Sequence, residues 1–182
     1  MNIVNPITDK KKLELIKRYL KSGNMRDYVL FIIGINSGLR ISDLLLLSVE
    51  AVKGKDRIVI KEKKTGKTKD FPLSDNSKKI IAEYLKTTGL VTGALFPSRK
   101  GGNAISRVQA YRIINDAARS VGITEPIGTH TIRKTFGYWA YQQGIGIEYI
   151  QFLLNHSSPR ISLAYIGITK AKMDAVYINL NI

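Results

Sequence analysis

The chain contains no cysteine, only two histidines, and 14 acidic residues against 29 basic ones in 182 residues. The first absence excludes a disulfide frame, a thiol nucleophile and any zinc site built on cysteine. The second confines imidazole acid–base chemistry to His130 and His156. No apolar run reaches the roughly 18 residues needed to span a bilayer. The start, Met1-Asn2-Ile3-Val4-Asn5-Pro6, lacks the charged and apolar stretches of a signal peptide. A cytoplasmic location is the resulting expectation. There is no internal repeat, no low-complexity tract and no long linker, so one domain over 1–182 is expected. Nor is there an Asp/Glu cluster of the kind two-metal nucleases use.

What the chain has is positive charge. A formal net charge of +15 draws it to polyanions. Nucleic acid is the first reading of such an excess, and an anionic membrane surface is its competitor. No amphipathic basic helix recommends the membrane.

Periodicity and punctuation give a mainly helical chain with one small antiparallel sheet. Thr8 is placed to cap a first helix that Ser22-Gly23-Asn24 ends. A second helix from Arg26 to about Ser37 is apolar on most faces and so buried. A short third helix follows Gly38-Leu39-Arg40-Ile41-Ser42-Asp43, with Ser42 or a neighbour as its cap. Arg57–Lys61 and Thr68–Leu73 read as strands around a turn at Lys64-Thr65-Gly66-Lys67. Helices are expected at Ser77–Thr87 and Ser106–Val121, on either side of a basic loop, Pro97-Ser98-Arg99-Lys100-Gly101-Gly102-Asn103. Further helices are expected near 131–143, 147–154 and 160–166, with a tail helix near 170–182.

Several polar residues have spacings that suit phosphate chemistry. His130 and Arg133 lie three apart and share a helix face, just after Pro126 and Gly128, at a helix start that favours anions. Arg133 offers a planar fork for a phosphate. Alone, such a pair is ordinarily a solvated face. His156 ends an apolar helix, and Ser158-Pro159 looks like the cap and first residue of the next, which carries Tyr165. Phenol is a poor nucleophile at its free pKa of about 10, and nearby arginines would favour the phenolate. With nine tyrosines in the chain, spacing alone makes Tyr165 an ordinary amphipathic residue. Arg40 either caps helix-end carbonyls or is held against the core and aimed at a ligand, with Asp43 placed to orient it. Lys64, alone, reads as a solvated turn lysine.

Taken together and in order, these residues resemble the tyrosine recombinase (phage integrase) family from about Thr8 to Ile168. Ser37-Gly38-Leu39-Arg40-Ile41-Ser42-Asp43 is similar to the family's first arginine box. Lys64-Thr65-Gly66 resembles the hairpin turn that bears its lysine, and Leu95-Phe96-Pro97-Ser98 its common lead-in to the later helices. His130-Thr131-Ile132-Arg133 matches the His-x-x-Arg box. His156-Ser157-Ser158, followed nine residues later by Tyr165, matches the last box and the nucleophile. Lys61, Lys63 and Lys67 lie close to Lys64. One departure is Asn155, where the family usually has glycine; asparagine also tolerates the left-handed conformation.

The resemblance implies a catalytic domain that breaks and rejoins DNA through a 3′-phosphotyrosine, without a cofactor or metal. Tyr165 is then the nucleophile. Arg40 and Arg133 stabilise the phosphoryl oxygens. Lys64 protonates the leaving 5′ oxygen, His130 moves the tyrosine proton and His156 bonds the phosphate. Double-stranded DNA is the expected partner, with self-association into a tetramer on DNA, in part through the tail. Arg99, Lys100, Arg107 and Arg112 are candidate DNA contacts. The separate amino-terminal core-binding domain usual in the family is not expected within these residues. Two other readings compete: relaxation of supercoils in the manner of a type IB topoisomerase, and a regulator that binds DNA without cutting it.

Overall fold

The computed structural model describes residues 4–169, 174 and 177–179. Helix α1 (Lys10–Gly23) buries the stripe Leu13, Ile16 and Leu20. Its cap is Asp9 rather than Thr8: the carboxylate accepts from the backbone N–H groups of Lys11 and Lys12. Adjacent cap-competent residues are indistinguishable in sequence, and the one aimed at the first-turn donors wins. Helix α2 (Met25–Ser37) is buried over most of its length, as its composition requires. It ends at Gly38 in the left-handed conformation, where a Cβ would meet the Phe136 ring at 2.5 Å. That glycine sets the turn leading into Arg40.

Two four-residue helices follow, α3 (Ile41–Leu44) and α4 (Val49–Val52). Arg40 itself occupies the cap position of α3 and makes no side-chain cap bond there, so neither Ser42 nor a simple capping arginine describes this turn. Helix α4 has too few residues to show a period in the sequence. Strands β1 (Arg57–Lys61) and β2 (Thr68–Pro72) pair antiparallel, with Ile58 opposite Phe71 and Ile60 opposite Lys69. Helix α5 (Asp75–Thr88) starts before the expected Ser77, because Ser74 caps it by accepting from the Ser77 N–H. Helix α6 (Arg107–Ser120) is capped by Ser106.

Helix α7 (Thr129–Gln142) runs between α2 and the carboxyl-terminal pair α8 (Ile147–Leu153) and α9 (Pro159–Tyr165). Ser158 caps α9, with Pro159 at its first turn, as the sequence suggested. The expected tail helix near 170–182 lies outside the described residues, apart from 174 and 177–179.

The apolar interior divides in two. The larger cluster joins α1, α2, α5, α6, the hairpin and the inner side of α7. The smaller one, Ile150, Leu154 and Ile166, seats α8 and α9 on the other side of α7, against Phe136 and Tyr165. Gly137 permits that seating: a Cβ there would lie 2.7 Å from Ile166 Cγ2 and 3.1 Å from Leu154 Cδ1. A polar centre lies along the join between the two clusters.

Candidate active site

Arg133 projects from α7 into this join and is almost fully buried. Its Nη1 donates to the Gly38 carbonyl and its Nη2 to the Leu154 carbonyl, so it ties the end of α2 to the end of α8. Those carbonyls lack helical partners, and a cation suits their negative ends. The guanidinium charge also acts on the Tyr165 phenol, favouring its ionised form. Arg40 enters from the α2–α3 turn, and its charge also reaches Tyr165.

The partner of Arg40 is Glu62, not the expected Asp43. Arg40 Nη1 lies 2.9 Å from Glu62 Oε1, and the Glu62 side chain has no exposed surface. Glu62 Oε2 accepts from Thr65 Oγ1 at 2.8 Å and from Asn155 Nδ2 at 2.9 Å. Burial pushes the Glu62 carboxyl up. The Thr65 hydroxyl, Arg40 and Asn155 outweigh it and hold the pKa below the usual value. One carboxylate thus gathers the first arginine, the hairpin turn and the His156 loop. Asp43 works beside it: fully buried, it accepts from the Lys63 N–H at 2.9 Å and anchors the start of the turn. Asn155 is left-handed, with φ 49°, as its place in the sequence suggested, and its amide puts the departure from glycine to use.

His156 stands edge-on to Tyr165, with ring centroids 4.7 Å apart, and its Nδ1 is 3.0 Å from Ser162 Oγ. Burial, then the charges of Arg133 and Arg40, lower its pKa to about 4, so the ring is neutral near pH 7. His130 sits in the first turn of α7, toward solvent. Partial desolvation and the charges of Arg133, Arg107, Lys134 and Arg40 lower its pKa as well. Lys134 Nζ lies 4.9 Å from the centroid of the Tyr165 ring.

For Tyr165 the balance differs from the expectation that arginines alone would set it. Burial raises its pKa above 10, and the opposing pull of Arg133 and Arg40 does not cancel that rise. The resting side chain is a phenol, and attack on an electrophile requires a proton acceptor.

The structure brings Arg40, Arg133, His156 and Tyr165 together, with His130 at the rim. Lys64 is exposed on the hairpin turn, two residues beyond Glu62. Arg99, Lys100, Arg107 and Arg112 are exposed. Arg107 is near enough to act on His130, while Arg99 and Lys100 border a groove beside Arg26 and Ser106. Two members of the cluster went unnoticed in the sequence, Glu62 and Lys69. Lys69 Nζ donates to the carbonyls of Ser37 at 2.9 Å and Leu153 at 3.3 Å. Its signal was phase: Lys69 and Phe71 alternate with exposed residues on β2, which places a lysine on the inner face.

Two arginines, an imidazole and a phenol around one point, on helices flanking a small hairpin, define a centre suited to transfer of a phosphoryl group to tyrosine. The model of the phage integrase family matches residues 6–172, and the chain belongs to this family, the tyrosine recombinases. It is 47% identical over 177 residues to the probable integrase/recombinase YoeC of Bacillus subtilis (strain 168), covering 97% of each chain. It is 29% identical over 161 residues to tyrosine recombinase XerC of Thermodesulfovibrio yellowstonii, covering 84% of this chain and 53% of that one. The chain therefore spans nearly all of the Bacillus relative and about half of XerC. Among solved structures, the fold is shared with XerH site-specific recombinase in its post-cleavage complex with palindromic difH substrate. There the TM-score is 0.77 at 19% identity, over 100% of this chain and 54% of that one.

Proposed function

We propose that Tyr165 cleaves double-stranded DNA by in-line attack on a backbone phosphate. Its oxygen forms a 3′-phosphotyrosyl bond as the bond from phosphorus to the 5′ oxygen breaks. Lys64 delivers a proton to that 5′ oxygen, and His130 takes the proton of the phenol. Attack by a 5′-hydroxyl of a partner strand reverses the step, so the bond energy is kept in the link. Arg40 and Arg133 meet the charge that develops on the non-bridging oxygens, where preorganised donors act most strongly. His156 bonds the same phosphate. The observation that carries this reading is the convergence on Tyr165 of the charges of Arg133 and Arg40 and of the His156 ring, edge-on with its centroid 4.7 Å away.

Arg99, Lys100, Arg107 and Arg112 serve as DNA contacts in this reading, together with the excess of positive charge. Assembly on DNA as a tetramer is part of the same proposal. A lambda integrase tetramer bound to a Holliday junction shares the fold, with a TM-score of 0.71 at 16% identity over 92% of this chain and 50% of that one. The tail supplies part of the assembly by docking on a second copy. Large apolar side chains stand exposed on α8 and α9, Tyr149 at 72%, Phe152 at 80% and Ile161 at 46%, and the described tail residue Tyr177 at 84%. Truncation after Lys170 is expected to weaken DNA-dependent assembly and leave the fold intact; unchanged assembly contradicts the docking.

The test of the reaction is a nicked suicide substrate from the native locus. The wild-type chain is expected to give a covalent protein–DNA adduct, and Tyr165→Phe none. Plasmid relaxation at no particular sequence would favour topoisomerase activity instead. DNA binding with no adduct from either protein, even with substrate in excess, contradicts cleavage by this chain.

A further inference from the structure

Helices α8 and α9 carry His156 and Tyr165 but rest on a small apolar cluster, whereas Arg40 and the hairpin belong to the main body. Two cations cross the join. Arg133 links the carbonyls of Gly38 and Leu154, and Lys69 links those of Ser37 and Leu153. Two consecutive carbonyls at the end of α2 are thereby tied, pair by pair, to two consecutive carbonyls at the end of α8. Lys69 is held for this task by strand register, opposite Ile60, with its ammonium 5.7 Å from the Phe71 ring.

We propose that Lys69 is a positioning residue for DNA cleavage: it fixes the unit bearing His156 and Tyr165 against the turn bearing Arg40. Stability alone does not account for a lysine at this place. Burial, then the charge of Arg133, lower its pKa to about 8; Arg40 acts in the same sense, and Glu62 and Asp43 oppose it. The charged form is disfavoured here, and an apolar side chain of like volume would fill the space without that penalty. What such a side chain cannot do is donate to two carbonyls on separate helices. Departures of this kind from stable packing concentrate at functional sites. The proposal rests on the reading of Tyr165 as nucleophile and Lys64 as proton donor.

The test compares Lys69→Met and Lys69→Arg with wild type. For Lys69→Met, DNA affinity is expected to stay within about twofold and the melting temperature to stay level or rise. Its single-turnover cleavage at saturating DNA should fall at least tenfold, and Lys69→Arg should recover most of that loss. A substrate with sulfur in place of the bridging 5′ oxygen needs no protonation of its leaving group. It should rescue Lys64→Ala and leave Lys69→Met slow. Cleavage by Lys69→Met within twofold of wild type overturns the proposal. Rescue of Lys69→Met by sulfur also overturns it, since Lys69 would then be the proton donor. Hydrogen exchange separates these outcomes from failure of the cleavage reading itself. In the free protein, Lys69→Met should speed exchange at least tenfold at amides 38–40 and 154–156 while those of α1 stay unchanged. Equal exchange in the two proteins overturns the clamp, whether or not wild type forms an adduct.

Discussion

Replacing Glu62 with glutamine keeps the shape of the side chain and removes the charge on which three segments converge. In the native protein Glu62 faces Arg40 at 2.9 Å and accepts bonds from Thr65 and Asn155 at 2.8 and 2.9 Å, with no exposed surface. Breaking a buried ion pair by removing one partner costs ~3–5 kcal/mol. Glutamine retains one acceptor oxygen, so about 2–3 kcal/mol is expected for Glu62→Gln and the full range for Glu62→Ala. In a domain of this size that lowers the melting temperature by roughly 5–10 °C. Urea unfolding, followed by tyrosine fluorescence and circular dichroism, measures the difference. The pH dependence provides a second signature. The Glu62 pKa is lowered in the folded state, so its stabilisation is present above the unfolded value of about 4.5 and fades as pH falls through the folded one. Glu62→Gln should lose that acid-sensitive part. A difference from wild type below about 0.5 kcal/mol, with additive effects of Arg40→Ala and Glu62→Gln, would refute the carboxylate hub.

Three other outcomes follow from the same geometry. Gly137→Ala drives a methyl group into Ile166 and Leu154, both fully buried; overpacking of about 1–3 kcal/mol, partly offset by alanine's helix propensity, should displace α9 and slow cleavage more than DNA binding. Equal cleavage by wild type and Gly137→Ala in a single-turnover assay contradicts that packing. The pKa of His156 is lowered from its unfolded value of about 6.5 to about 4, so the unfolded chain binds the extra proton first. Stability should therefore fall as pH drops from about 6.5 to 4, by up to ~1 kcal/mol per unit, and His156→Asn should flatten the slope; identical slopes would refute the burial of a neutral ring. Neutralising Arg99, Lys100, Arg107 and Arg112 should shrink the salt slope of DNA binding by up to about one unit for each phosphate that a cation no longer neutralises; a slope unchanged by all four removes them from the interface.

The grouping of the candidate site residues was legible in the sequence because they lie in local motifs. His130 and Arg133 share a turn of α7, and Ser158-Pro159 starts the helix of Tyr165 within a few residues of His156. The longer helices followed from apolar period and caps, with ends that moved by a residue or two where neighbours such as Thr8 and Asp9 compete for one cap. The roles of Glu62 and Lys69 were hidden for a different reason. Each sits in a run rich in charge, and each draws its meaning from partners on distant segments, Arg40 and Asn155 for one, Ser37 and Leu153 for the other. Proximity in sequence points Asp43 at Arg40, yet the fold turns it to the hairpin backbone. The charge of the arginines near Tyr165 was foreseeable, and the burial that outweighs it was not.

In the proposed reaction Tyr165, among nine tyrosines, carries the DNA. Trapping the adduct on a suicide substrate, digesting it with protease and nuclease, and sequencing the modified peptide by mass spectrometry identifies the residue that is linked. A nucleotide is expected on the peptide containing Tyr165, linked through a 3′ phosphate. A modification on any other residue, or a 5′ linkage, would contradict it.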